Sequence, residues 1–545
     1  MKNLLFIQKR FKEKWAFILK HLINNNNFAF KKPMLHQKFL NRFVIRQVIW
    51  AFIITYLIVA LYLVFFENWS YLTLIIPVIL FYLAFKDAFQ TKHTIRKNYP
   101  IIGRLRYILE EIRPELRQYF WEGELDGKPF NRRERSIVYQ RAKNEKQTVS
   151  FGMQDDPNRI GYEWAAHSVY PKIVSDFNFR TLIGNEQCAQ PYSASIYNIS
   201  AMSYGALSKK AIVSLNKGAK LGGFAHNTGE GGISPYHRSG GDLIWQIGTG
   251  YFGCRDEHGF FNDALFAERS QYPEVKMIEL KLSQGAKPGH GGLLPAEKNT
   301  LEVSQIRNVK PFTTVHSPSS HSAFSNAIEL AHFIGKLRTL SGGKPVGFKI
   351  CIGRKDEFID IIKAFSETKI YPDFITIDGA EGGTGAAPLE FIDYMGMALS
   401  DALVFTNNLL KEYGIREHIK IIAAGKVISA FDLAKTMALG ADACYSARGM
   451  MFALGCIQAL QCDSGHCPVG IATQDPLLFE GMDINDKSVR VATFHKNTMK
   501  AFGEFIGACG FSKPNEVSPA VFHKRIEHGR NISFAEMYFK DIKTN

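Results

Sequence analysis

Toward the end of this 545-residue chain, Cys456, Cys462 and Cys467 stand in a C-x5-C-x4-C spacing. Zinc sites are usually built on closer C-x2-4-C pairs with a fourth ligand. Three thiolates can instead hold a [3Fe-4S] cluster, a one-electron carrier; the spacing by itself serves three buried structural cysteines equally well. The neighbouring motifs favour the cluster. An apolar run ends in Asp378 and opens into Gly-Ala-Glu381-Gly382-Gly383-Thr384-Gly385-Ala-Ala-Pro388. Glycines at that density let backbone N–H groups approach a flat or anionic ligand. Ala424-Gly425-Lys426 and Ser446-Ala447-Arg448-Gly449 pair a glycine amide with a guanidinium, a combination suited to phosphate. Lys349 closes the apolar run that starts at Val346. Beside the N1/O2 edge of a flavin, its charge would stabilise the anionic reduced ring. Gly248-Thr-Gly-Tyr-Phe-Gly253 matches G-x-G-x-x-G, but Cys254-Arg255-Asp256-Glu257 follows where an apolar helix should, so no NAD(P) site is expected.

These residues need a frame that carries them to one place. From about residue 191, short β-rich runs alternate with helical stretches and Gly-rich loops, the pattern of repeated βα units. Strands are expected over 197–200, 223–226, 276–280, 313–316, 346–350, 374–377, 419–423 and 443–446. Eight strands over that length predict an α/β (β/α)8 TIM barrel, with its active site at the C-terminal ends of the strands and phosphate after strands 7 and 8.

Upstream, residues 48–66 (VIWAFIITYLIVALYLVFF) and 71–85 (YLTLIIPVILFYLAF) carry no charge. Each approaches the length that crosses a bilayer, and together they predict a transmembrane helical hairpin. Arg42 and Arg46 precede it, Lys86, Lys92, Arg96 and Lys97 follow it, and the intervening loop has no basic residue. Both ends are therefore expected at the cytoplasmic face of the inner membrane, with the catalytic domain in the cytoplasm. The formal charge is +15, of which residues 1–46 carry +10. With that distribution and no nucleic-acid motif, the basic balance points to a membrane surface, not to nucleic acid. Eight cysteines are too few for a disulfide scaffold. The resulting division is a basic segment over 1–47, the hairpin over 48–86, a helical connecting region over 87–190 with an amphipathic stretch at 105–120, the barrel over 191–515 and an extension over 516–545.

The chain resembles the FMN- and iron–sulfur-containing synthase domain of glutamate synthase, in a short membrane-hairpin form. The strings that carry the likeness are Ser200-Ala-Met-Ser203-Tyr-Gly205, Asn227-Thr-Gly-Glu230-Gly-Gly232, Gln284-Gly-Ala-Lys287-Pro-Gly289, the loop from Asp378 to Pro388, and Cys456 onward through CPVGIATQDP. The resemblance implies FMN at the barrel mouth. Ala201, Met202 and Ser203 would line the ring, and Gln284 and Lys349 its polar edge. Asp378, Gly382, Gly383, Thr384, Gly425, Ala447 and Arg448 would surround the rest of the cofactor, and Cys456, Cys462 and Cys467 would bind [3Fe-4S]. Electrons would pass from cluster to FMN and reduce 2-iminoglutarate, formed from 2-oxoglutarate and ammonia, to L-glutamate. Arg354 is a further candidate for a substrate carboxylate, with Glu230 and Lys281 also expected at the mouth. Ferredoxin or a separate reductase is the implied donor, and a homo-oligomer is compatible with this reading. The family's glutaminase part is not expected on this chain. His290 stands where larger members carry Glu, and Ser317-Pro-Ser-Ser-His321 keeps one histidine of a longer motif. Both departures leave room for a related 2-oxo acid or amine, or for an amine oxidoreductase coupled to quinones or another carrier.

Overall fold

A computed structural model describes residues 34–145 and 147–539. Most of the basic N-terminal segment, up to residue 33, lies outside the described residues. The chain divides into two compact units, Met1–Trp121 and Glu122–Asn545, so the boundary falls inside the region expected to be one connecting segment.

In the first unit, helix α1 (Met34–Phe66) contains the first apolar run, and a short 3-10 helix (Tyr71–Leu74) continuing into helix α2 (Ile75–Phe89) contains the second. Pro77 lies in the first turn of α2, where a missing N–H forfeits no helical bond, so the second run is not interrupted. Trp50 meets Phe81 edge-on, with ring centroids 5.9 Å apart, and Ile49, Ile53 and Ala84 form a small core between the helices. Helices α3 (Thr94–Asn98) and α4 (Ile102–Leu116) follow, and a π-helical turn over Arg117–Trp121 ends the unit.

The second unit opens with α5 (Arg132–Lys143), started by a capping box between Asn131 and Glu134. Its centre is a closed barrel of eight parallel strands: β1 (Tyr197–Ile199), β2 (His226–Asn227), β3 (Leu243–Ile247), β4 (Val275–Lys281), β5 (Val346–Ile350), β6 (Phe374–Asp378), β7 (Lys420–Ala424) and β8 (Ala443–Ser446). The strands pair in chain order, and β8 closes on β1 through Tyr445↔Asn198. The expected barrel is present, with two strands reassigned. The run 313–316 contributes only Val315–His316, which pairs antiparallel with Leu293–Leu294 outside the barrel. Leu243–Ile247, not anticipated, is the third barrel strand. All five of its residues are buried, so it lacks the alternation that marks a half-exposed strand. The two errors offset each other, and the numbering of β5 to β8 is unchanged.

The antiparallel hairpin of Arg180–Ile183 and Tyr192–Ser195 puts Ile183 and Ala194 in one buried cluster with Ala225, Ile244, Met277 and Phe374. The region expected to be helical up to 190 therefore ends in strands. The C-terminal extension also folds back: Phe522–Glu527 pairs with Glu163–Ala165 on one side and Arg530–Ser533 on the other.

Candidate active site

Two strand positions that share one side of β4 set the centre of the site. Glu279 and Lys281 are two residues apart, so both project to the same face. Glu279 is fully buried, and it accepts from Asn227 Nδ2 (2.7 Å), Gln246 Nε2 (2.7 Å) and Thr376 Oγ1 (2.6 Å), which come from β2, β3 and β6. One layer nearer the C-terminal mouth, the β4–β5 register sets Lys281 beside Lys349.

Lys349 Nζ lies 3.1 Å from Asp378 Oδ2, and both side chains are buried. Burial would lower the Lys349 pKa, but Asp378, Glu279 and Glu230 together outweigh it and raise it. The lysine is held as a cation inside the barrel. Asp378 Oδ2 also accepts the Gly285 N–H (3.0 Å), tying the loop after β4 to the end of β6. A Cβ at Gly285 would stand 1.8 Å from Gly379 O, so only glycine lets these two backbones approach so closely.

Lys281 Nζ donates to Glu230 Oε1 at 2.8 Å. Burial pushes the Glu230 carboxyl up, but Lys281, Lys287 and Arg307 prevail and hold it below the usual range. One carboxylate thus faces three cations. Burial and the charge of Lys281 lower the Lys287 pKa, and burial brings Arg307 down to about 10. Arg307 Nε is buried without a hydrogen-bond partner. His321 buttresses the strand carrying Lys281: its ring nitrogens lie 2.9 Å from Lys281 O and 3.0 Å from the Tyr251 hydroxyl.

The loop after β1 brings Ala201, Met202 and Ser203 against the loop after β2. Met202 N donates to Asn227 O (3.4 Å), and Gly229 sits directly on the Met202–Ser203 backbone. Gln284 Nε2 reaches Thr384 Oγ1 at 3.4 Å. Gly382 turns the loop after β6 by donating to Gly379 O (2.8 Å), and Gly425 follows β7 beside Glu381. Ala447 precedes α6 (Arg448–Leu454). Arg448 bonds Thr384 O with one nitrogen and approaches Cys462 Sγ (3.6 Å) with another. The guanidinium expected at a phosphate therefore also joins the Gly-rich loop to the cysteine stretch.

Cys456 follows α6 directly and is buried, as is Cys467; Cys462 is half-buried, and none is in a disulfide. Burial pushes the Cys456 thiol up to about 11, with Cys462 and Cys467 near enough to add to the rise. Lys298, itself buried, donates to Cys462 O at 2.7 Å. Among the described residues, no three His, Cys, Asp or Glu side chains close on a single metal ion. A multi-iron cluster spreads its thiolates more widely than one ion does, and three thiols with Arg448 and Lys298 beside them are a donor set of suitable charge for it.

Arg354, in the loop after β5, is turned to acids of its own helix. It is exposed at the start of the helix Lys355–Thr368 and pairs with Asp356 and, at 3.2 Å, Glu357. His290 lies exposed in the loop after β4, its ring edge-on to Phe391. Glu279, Arg307 and Lys298 were not anticipated. For Glu279 a signal existed: polar residues two apart in an apolar strand, Glu279/Lys281 and Thr376/Asp378, mark a polar inward face.

Residues 166–512 match the conserved region in glutamate synthase. The glutamate synthase large subunit-like protein YerD of Bacillus subtilis is 38% identical over 501 residues, covering 84% of this chain and 95% of that protein. The chain belongs to the glutamate synthase family. An archaeal glutamate synthase (NADPH) of Methanocaldococcus jannaschii is 34% identical over 362 residues, covering 65% of this chain and 66% of that one. The large chain of Azospirillum brasilense glutamate synthase (NADPH) is 30% identical over 324 residues, only 20% of its length. Among solved structures, a flavocytochrome b2 mutant is matched with a TM-score of 0.39 and 13% identity over 76% of this chain and 85% of that one, a likeness too loose to bear on either fold or function. Family membership makes this chain a glutamate synthase-type oxidoreductase and accounts for the order of the motifs around the barrel.

Proposed function

We propose that this chain carries out the synthase reaction of its family: 2-oxoglutarate and ammonia condense to 2-iminoglutarate, which is reduced to L-glutamate at the barrel mouth. The observation that carries this reading is the excess of buried cations there, with Lys281, Lys287 and Arg307 facing the single carboxylate Glu230. Such a mouth suits a dicarboxylate. Lys281, held in place by Glu230, would orient it, with ammonia entering as the neutral nucleophile.

The residues present also fit FMN. Lys349 offers a fixed cation and Gln284 an amide for the polar edge of the ring, while Ala201, Met202 and Ser203 offer a wall. Gly382, Gly383, Thr384, Gly425, Ala447 and Arg448 would hold its phosphate arm, with Asp378 fixing Lys349. Cys456, Cys462 and Cys467 would hold [3Fe-4S]. When bound, FMN supplies hydride chemistry and the cluster single-electron transfer. Lys349 keeps its proton throughout, because Asp378 and Glu279 oppose its loss. Ferredoxin or a separate reductase would feed the cluster.

The helices at Ile45–Phe66 and Tyr71–Phe89 have the length and apolarity to cross a membrane. Side chains on several sides of them, among them Phe52, Phe65, Leu72 and Tyr82, are exposed, as lipid-facing residues would be. We read them as a hairpin in the cytoplasmic membrane, with the barrel on the cytoplasmic side.

The test is anaerobic purification in mild detergent, with flavin and iron assays and a visible spectrum. Glutamate formation from 2-oxoglutarate and ammonia would then be measured with a low-potential dye as donor. FMN, iron and product together support the proposal. Flavin without iron would remove the cluster from it. Folded protein with neither cofactor would end it. Both cofactors with flavin reduced by an amine, and no glutamate formed, would favour the quinone-linked alternative.

A further inference from the structure

The first unit contains a second apolar surface besides the hairpin. In α4, Ile102, Leu105, Ile108, Leu109 and Ile112 are all exposed. Their spacing of three and four residues places them, with Leu116, in one stripe of the helix, roughly 100° wide. The opposite side of α4 faces its own unit. Gly103 is buried there, and a Cβ on it would come within 2.9 Å of Ile95 O. Tyr107, one turn on, packs against the His93 ring with centroids 4.6 Å apart. The helix is therefore held by one side and presents its apolar stripe away from the helices that hold it.

Its position relative to the hairpin is also fixed. Asp87, near the end of α2, is completely buried and accepts from Arg96 (2.9 and 2.6 Å), Arg104 (2.7 and 2.9 Å) and the Ile101 N–H (3.0 Å). That one carboxylate ties the end of α2 to α3 and to the first turn of α4. Arg106, paired with Glu110, and Arg113 border one edge of the stripe, and Glu115 borders the other, by the same spacing. Residues 86–121 contain eight lysines and arginines against four acids. Beyond α4, Phe120 and Trp121 are 76% and 70% exposed, aromatics of the kind that sit at a headgroup layer.

We infer that α4 lies flat on the anionic cytoplasmic leaflet, its apolar stripe in the headgroup–acyl boundary and its bordering arginines on lipid phosphates. The inference rests on the reading of α1 and α2 as a membrane hairpin. The charge of the segment favours this partner: residues 86–121 carry twice as many basic as acidic side chains, and the end of a membrane hairpin is where an anionic leaflet is met.

The test places p-benzoylphenylalanine singly at Leu109 and Leu105, at Glu111 on the polar side, and at Ile58 within α1. The full chain is reconstituted in nanodiscs of phosphatidylcholine with phosphatidylglycerol, irradiated and analysed by mass spectrometry. Lipid adducts are expected at Ile58, Leu105 and Leu109, exceeding those at Glu111 on the order of tenfold, the contrast between a face in lipid and one in water. Omitting phosphatidylglycerol should reduce the adducts at Leu105 and Leu109 but not at Ile58. Adducts at Ile58 with protein crosslinks, or none, at both Leu105 and Leu109 would overturn the inference and leave the hairpin standing. Absence of lipid adducts at Ile58 would overturn the hairpin reading and this inference with it. The probe sites are exposed, so the substitutions leave the fold intact, which gel filtration of each variant checks.

Discussion

Acidification from about pH 7 to about pH 5 should destabilise the barrel unit strongly, because four histidines are buried in it as neutral rings. His495 stacks on Phe224 at 4.1 Å and lies 3.0 Å from Ser195 Oγ. His237 lies 2.8 Å from Ser234 Oγ and 3.4 Å from Met202 O, and His321 sits behind Lys281. His226 is buried with neither ring nitrogen partnered, 5.3 Å from the His237 ring. Burial pushes His237 and His321 down to about 4, His495 to about 3 and His226 well below its ordinary value. In the unfolded chain these rings titrate near 6.5. The folded values are depressed, so between those limits the unfolded chain binds the protons and the folded one does not. Stability is present above pH 6.5 and is lost as the pH falls toward 4. At pH 5 each ring contributes a loss of about 2 kcal/mol, and four give about 8 kcal/mol. That is comparable with the whole stability of a typical domain, about 5–15 kcal/mol. Urea midpoints followed by tryptophan fluorescence and far-ultraviolet circular dichroism at several pH values measure it. His495→Phe keeps the stacking and removes one titrating ring, so it should flatten the pH dependence by about one quarter. A urea midpoint at pH 5 equal to that at pH 7 would refute the reasoning.

Three substitutions probe the site itself. Lys349→Met strips the cation from beside buried Asp378; breaking such a pair costs about 3–5 kcal/mol, read as a lower urea midpoint. Glutamate formation should fall by about 10²-fold or more, and activity within tenfold of wild type would remove Lys349 from the reaction. Gly285→Ala forces a Cβ to 1.8 Å from Gly379 O, which should part the two loops and weaken flavin retention at least roughly tenfold, about 1.4 kcal/mol; unchanged flavin content after dialysis would count against it. Arg354→Ala breaks only exposed pairs, so stability should stay within about 0.5 kcal/mol, with KM for 2-oxoglutarate unchanged; a tenfold rise in KM would return Arg354 to the substrate.

What the chain alone makes legible is whatever is local. An apolar run ended by a lysine or aspartate and followed by glycines identifies the C-terminal end of a barrel strand, so Lys349, Asp378 and the loops after β6, β7 and β8 can be placed from their immediate neighbours in sequence. The uncharged runs in α1 and α2 are equally local, since composition and length define them. Leu243–Ile247 escapes notice because a strand buried on both faces has no alternation to display. Partnership is decided only by tertiary structure. Lys281 and Glu230 are far apart in sequence and meet because the loop after β2 reaches past β3 to the end of β4. Glu279 gathers donors from three other strands, an arrangement that exists only once the barrel closes in register. Arg354 occupies a promising position after β5, yet the helix it starts offers it two acids of its own, and its side chain turns there. Arg448 reaches both the Gly-rich loop and Cys462 because α6 begins between them. Residue type and spacing thus determined which chemistry was available, and the closure of the barrel determined which charges face one another, since electrostatic pairing depends on distances that the order of residues does not contain.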